Sequence, residues 1–134
     1  MATIREIIDG IRVRLQTIPN LRTPKRVPDT VDPDTAVVRY AGTDFDATMH
    51  PATNDQHYMI QIFTSRASDR GQDALLEYCD DEGERSVKAA IEGDPTLGGL
   101  VMDAHLSQIQ EPGGATPGGA EMYSVEMVIT VNPT

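Results

Sequence analysis

Residues 75–101 read LLEYCDDEGERSVKAAIEGDPTLGGLV, from Leu75 to Val101, and their spacing decides the fold. Leu75, Tyr78 and Cys79 share one face of a helical segment that Gly83 breaks. Ser68 is placed to cap that helix, which is expected to run through Cys79. Val87, Ala90 and Ile91 form the inner face of a second, shorter helix that ends near Gly93. Asp94-Pro95-Thr96-Leu97-Gly98-Gly99 follows, and its two glycines supply a sharp turn where side chains are poorly tolerated. Alternation begins immediately afterwards. Leu100, Met102, Ala104 and Leu106 face one way and Asp103, His105 and Ser107 the other, which predicts a strand over about 100–110.

Upstream, Thr3-Ile4-Arg5-Glu6 has the spacing of a capping box. Ile4, Ile7, Ile8, Ile11, Leu15 and Ile18 then repeat at helical spacing until Pro19. Residues 19–34 read as an extended connector, because Pro19, Pro24, Pro28 and Pro33 forbid regular structure. Arg22, Lys25 and Arg26 cluster there. A strand is expected over 35–40, with Ala36, Val38 and Tyr40 on one side and Val37 and Arg39 on the other. A long loop from Ala41 to Gln56, carrying Phe45 and Met49, separates it from a strand over 57–64. In that strand Tyr58, Ile60 and Ile62 point inward, and His57, Met59 and Gln61 outward.

Downstream, Glu111 to Gly119 is flexible by composition. The last strand is expected over 121–131, with Tyr123, Val125, Met127, Ile129 and Val131 opposite Ser124, Glu126 and Thr130. Every strand has one apolar and one largely polar face, as in an antiparallel sheet packed on one side only. Helices must cover the apolar side. The expected fold is α+β, a two-layer sandwich. Its four-stranded, mainly antiparallel sheet carries helices on one face in the order α-β-β-α-α-β-β, and 1–134 make one domain.

Composition narrows the partners. The formal charge is −10, from 21 acidic and 11 basic residues. That balance opposes the Lys/Arg contacts that hold phosphate backbones or anionic membranes. Cys79 is the single cysteine, so no intrachain disulfide forms, and a reducing compartment is expected. Ile4–Ile18 is amphipathic and broken by Arg5, Glu6, Asp9, Arg12 and Arg14, unlike a signal peptide. No apolar run approaches the ~20 residues of a membrane span. The chain is expected to be cytosolic where it is made.

No chemistry-bearing constellation stands out. Gly113-Gly114 and Gly118-Gly119 lack the lysine and following helix of a phosphate loop. His50, His57, His105 and Cys79 are scattered, without zinc-ligand spacing. Asp44-Phe45-Asp46 and Asp80-Asp81-Glu82-Gly83-Glu84 lack the alternating oxygen ligands of a calcium loop. The second cluster is expected to place negative charge at the start of the next helix, complementing its dipole. No Gly-x-Ser-x-Gly occurs, nothing singles out a pair among the carboxylates, and Cys79 reads as a small buried hydrophobe. No catalytic, cofactor-binding or metal-binding residue is assigned, and no cofactor is expected.

The layout resembles the tail terminator proteins of long-tailed phages. The residues that carry the likeness are Leu75-Leu76-Glu77-Tyr78, Ser86-Val87-Lys88-Ala89-Ala90-Ile91, Leu97-Gly98-Gly99 before the final strand pair, and the closing Tyr123 to Val131. The basic segment 22–28 matches no motif of that family. The resemblance implies a non-enzymatic structural subunit of the virion, located at the head–tail junction and assembled in the host cytoplasm. It implies a homohexameric ring that ends tube polymerisation. Its partners would be other copies of itself, the tail tube protein and a head-completion or connector protein, with genome DNA passing through unbound. The alternatives are another head–tail connector or head-closure protein and, in a different class, a small cytosolic ligand-binding domain or enzyme.

Overall fold

Thr3 and Glu6 start the first helix by reciprocal capping. Thr3 Oγ1 accepts from the Glu6 N–H and Glu6 Oε1 accepts from the Thr3 N–H, both at 3.2 Å. The computed structural model describes residues 3–19, 21–24, 34–44, 55–65, 69–110, 112–115 and 122–132. Its elements are α1 (Ile4–Leu15), β1 (Thr35–Asp44), β2 (Asp55–Ser65), α2 (Asp69–Cys79), α3 (Val87–Glu92), β3 (Asp103–Ile109), β4 (Gly113–Ala115) and β5 (Met122–Asn132). The order α-β-β-α-α-β-β holds. β4 is a three-residue addition within the stretch expected to be a flexible linker.

The strands form one open antiparallel sheet in the order β1-β2-β5-β3, with β4 also pairing β5. β2 and β5 are central, and their register runs from Gln56↔Val131 to Ser65↔Met122. The inward phase of these two strands is buried: Tyr58, Ile60 and Ile62 on β2, and Val125, Met127, Ile129 and Val131 on β5. Ile7, Ile8, Ile11 and Leu15 of α1, Leu75 and Tyr78 of α2, and Val87, Ala90 and Ile91 of α3 close over them in one core. All three helices thus lie on one face of the sheet.

Several boundaries move. α1 stops at Leu15, and a turn carries the chain to Ile18, whose N–H meets Leu15 O at 3.0 Å. Ile18 is still buried, so the apolar spacing extended past the helix itself. β1 and β2 are longer than expected. Cross-strand pairing persists to Asp44↔Asp55, past a bulge between Tyr40 and Gly42. The expected loop Ala41–Gln56 therefore shrinks, and its Phe45 and Met49 lie outside the described residues, as do His50 and Ser68. β3 begins only at Asp103. Met102, expected to face inward, precedes the strand and is 66% exposed.

The outward face is not uniformly polar. Val37, Phe63 and Met122 form a second small buried cluster at one end of the sheet. The acidic run Asp80–Glu84 also departs from expectation. Ser86 caps α3, accepting from the Ala89 N–H at 3.1 Å and donating to Asp80 O at 2.5 Å. The first turn of α3 holds no acidic residue. The carboxylates belong to the preceding loop, whose Arg85 pairs with Glu77 of α2 at 3.5 Å.

The Asp94–Gly99 turn connects α3 to β3. Leu97, Gly98 and Gly99 are all left-handed, at φ of 52°, 76° and 90°. The Asp94 carboxylate accepts from the Gly98 N–H and the Thr96 hydroxyl, each at 2.9 Å. A Cβ on Gly99 would meet no atom within 4 Å, so substitution there strains the backbone without crowding it. Gly99→Val is expected to lower unfolding free energy by about 1–3 kcal/mol through that strain. Lys88→Ala, which removes an exposed pair with Glu92, is expected to cost less than about 0.5 kcal/mol. Urea titration of the two variants beside the parent checks the ranking, and equal midpoints would exclude strain at the turn.

Candidate functional site

The face of α1 turned away from the core carries Glu6, Asp9, Gly10, Val13 and Arg14. Opposite it stands the Asp94–Leu100 turn. Between them lies a groove of about 450 Å³, lined on the turn side by Asp94, Leu97, Gly98 and Leu100. Gly10 lets the two sides approach, because a Cβ there would stand 3.0 Å from Leu100 Cδ1 and 3.3 Å from Leu97 Cβ. Val13 is 59% exposed and offers an aliphatic wall. Arg14 braces the far end, its Nε donating to Ala90 O of α3 at 2.8 Å. Three carboxylates (Glu6, Asp9, Asp94) surround this apolar floor.

Those carboxylates are not equivalent. The Thr96 hydroxyl and the Gly98 N–H hold the Asp94 carboxyl below the usual carboxylate range. Asp9 pairs with Arg12 at 3.2 Å. Arg12 also donates through Nε and Nη2 to Thr23 O, at 3.1 and 2.8 Å, and so fastens the start of the basic connector to α1. Glu6 is committed to its cap. The groove holds no nucleophile and no acid–base pair. Its lining is aliphatic at the floor and acidic at the rim.

The outward sheet face carries a different array. His57 and His105 share that face, as their strand phase predicts, and both stand opposite Thr130 in the ladders. Asp44 Oδ2 lies 2.8 Å from His57 Nε2, and Thr130 Oγ1 lies 3.3 Å from its Nδ1. Thr130 donates to Ser107 Oγ at 3.0 Å, and Ser107 donates to Val128 O at 3.0 Å. One hydrogen-bonded chain thus crosses all four long strands. It contains Asp, His and hydroxyl groups, yet the Thr130 proton points away from the imidazole. A nucleophilic hydroxyl has to give its proton to the base. Here the imidazole is held between the Asp44 carboxylate and the Thr130 hydroxyl, and the array ties the strands together. His105 pairs instead with Asp103, at 3.3 Å.

Two buried hydroxyls, Thr64 Oγ1 and Tyr78 Oη, have no hydrogen-bond partner within bonding distance among the described residues. Burial pushes the Tyr78 hydroxyl up to about 12, with the nearby Asp34 carboxylate adding to the rise. Asp34 itself is left-handed, at φ 60°. The Cys79 thiol is half-buried and pushed up by desolvation and by Asp80, the reverse of an activated nucleophile. Among the described residues, no group of three or more His, Cys, Asp or Glu is placed to hold a metal ion. No helix among them is long and apolar enough to cross a membrane.

The groove has no counterpart among the sequence motifs weighed for chemistry. Its signal was available in α1. Gly10 is unfavourable in a helix by about 1 kcal/mol relative to Ala, and Val13 falls off the buried stripe. Both suit a face that another element must approach. In comparisons with known proteins, no protein-family model and no curated protein matches the chain.

Two outcomes test these assignments. Tyr78→Phe removes a buried hydroxyl that has no partner within bonding distance among the described residues, so stability is expected to stay within about 0.5 kcal/mol of the parent or to rise. A loss above about 1 kcal/mol in urea unfolding would reveal a working hydrogen bond. For Asp94, the lowered folded-state value means that the unfolded chain binds more protons just below pH 4. Its contribution is therefore full above about pH 4 and fades as pH falls through the folded value. Asp94→Asn is expected to be less stable than the parent at pH 7, and the two melting curves should converge in acid. A pH-independent gap would contradict the assignment.

Proposed function

We propose that this chain is a structural ring subunit of the tail terminator type, closing the head-proximal end of a phage tail tube. The observation that carries the reading is the left-handed Leu97-Gly98-Gly99 turn, which leads the α2–α3 pair into the final strands. It stands in the α-β-β-α-α-β-β order on which the sequence resemblance was drawn. In this reading, six copies form a ring that stops tube growth and presents a surface to a head-completion protein. The subunit is a scaffold rather than an enzyme. The His57 array supports that side of the reading, since its one histidine-linked hydroxyl donates elsewhere.

The charge suits a ring through which DNA moves. At −10 per copy the assembly repels phosphate, so a genome passes without adhering. Asp103 and Glu126 lie on the outward phase of the sheet and would add to this effect if that face lines the channel. A direct experiment combines the purified chain with polymerising tail tube protein of the same phage. Closed six-fold rings at one tube end, with growth arrested, are the expected result in electron micrographs. Tubes that lengthen unchanged, with no bound chain, would refute the proposal.

A further inference from the structure

We propose that His57 is an acid-operated latch on the far end of the β1–β2 ladder, holding Gly42–Asp44 against Asp55–His57 when its imidazole is protonated and loosening them when it is not. The latch acts within one subunit, whatever the chain assembles into. Ala36, Val38 and Tyr40 of β1 pair with the core-facing Ile62, Ile60 and Tyr58. The bulge then shifts the phase by one residue, so that Gly42 pairs with His57 and Asp44 with Asp55. Without it Asp44 would keep the core phase of Tyr40. With it Asp44 stands on the outward face beside His57. Gly42 has no side chain to intervene, and Asp44 Oδ2 lies 2.8 Å from His57 Nε2.

The last rung of this ladder is unfavourable on its own. Asp44 and Asp55 are directly opposed, and like charges in that position repel. His57 is placed to offset the repulsion. A protonated imidazole donates from both nitrogens, through Nε2 to Asp44 and through Nδ1 to Thr130 Oγ1 at 3.3 Å, whereas a neutral one has a single N–H for two partners. On its own strand Asp55 stands two residues back on the same face. β5 presents Thr130, and beyond it β3 presents Ser107 and the Asp103–His105 pair, at 3.3 Å. Arg39 of β1 is engaged with Met59 Sδ and Gln61 Oε1, each at 3.4 Å. Carboxylates ionise near about pH 4 and imidazoles near about 6.5, so between about pH 5.5 and 8 the imidazoles are what change on this face. The latch contributes below the imidazole range and is lost as pH rises through it.

Amide hydrogen exchange, corrected for its intrinsic pH dependence, reads the opening of this end. Protection of the ladder amides within 42–44 and 55–57 is taken relative to those of 60–62 in mid-β2. In the parent this ratio should be about twofold to fivefold higher at about pH 5.5 than at about pH 8, the size of a partly exposed ion pair. In His57→Gln, which keeps an amide donor but cannot become charged, the ratio should be equal at the two pH values. Asp44→Asn should flatten it as well, and decides the matter if His57→Gln fails to fold. His105→Gln should retain the parent's dependence. An equal ratio at both pH values in the parent, a dependence that survives either His57→Gln or Asp44→Asn, or one that His105→Gln abolishes, would overturn the latch.

Discussion

Tyr58, Ile60 and Ile62 of β2 stand rung for rung beside Ile129, Met127 and Val125 of β5, and none of these six residues is more than 1% exposed. Two central strands with one solvent-free face constrain everything else. Burying an aliphatic side chain of this size contributes about 1.5–3 kcal/mol. An exposed ion pair such as Lys88–Glu92 contributes less than about 1 kcal/mol. The core therefore dictates where the helices go, and the surface network adjusts to it. α1, α2 and α3 differ in length but share the requirement to present an apolar stripe to that face.

How much of this was legible in the sequence depended on whether a signal was local. The capping box of α1 is written in four residues, and both of its hydrogen bonds form. The strand phases of β2 and β5 follow from period-two alternation, which burial reproduces from Tyr58 to Ile62 and from Val125 to Val131. The left-handed turn was legible because Gly98-Gly99 tolerates what other residues resist. Leu97, which shares that conformation, gave no such signal. Its side chain is buried, so packing rather than propensity holds it there.

What was illegible required knowing neighbours. The β1–β2 ladder extends to Asp44↔Asp55 because each strand supplies partners for the other, although Gly42 and Thr43 carry little strand propensity. β4 forms in a glycine-rich stretch because β5 is longer than β3 and has edge groups left to pair. The Val37–Phe63–Met122 cluster brings together three strands, each of which alone reads as polar on that side. The groove is of the same kind. Gly10 and Val13 hinted at it singly, but its other wall is some 90 residues away in sequence.

The sheet edges bear on how such a subunit meets its copies. An open edge invites strand-to-strand pairing, which is neither limited in number nor geometrically closed. Both edges here are interrupted. β1 has its bulge between Tyr40 and Gly42, and β3 has one between Leu106 and Gln108, beyond which Ile109 hands over to the separate β4. Bulges bend and twist an edge out of register with a flat partner. Arg39 and Asp44 on β1, and Asp103 on β3, add exposed charge to those edges. The net charge of −10 sets a further repulsion against indiscriminate approach of like chains. Association that overcomes this repulsion has to bring opposite charge to a defined place. The acidic rim around Leu97, Leu100 and Val13 lies beside the left-handed turn that also ends the helical layer. Leu97 and Gly98, which help turn the chain into its last strands, thus also line that groove.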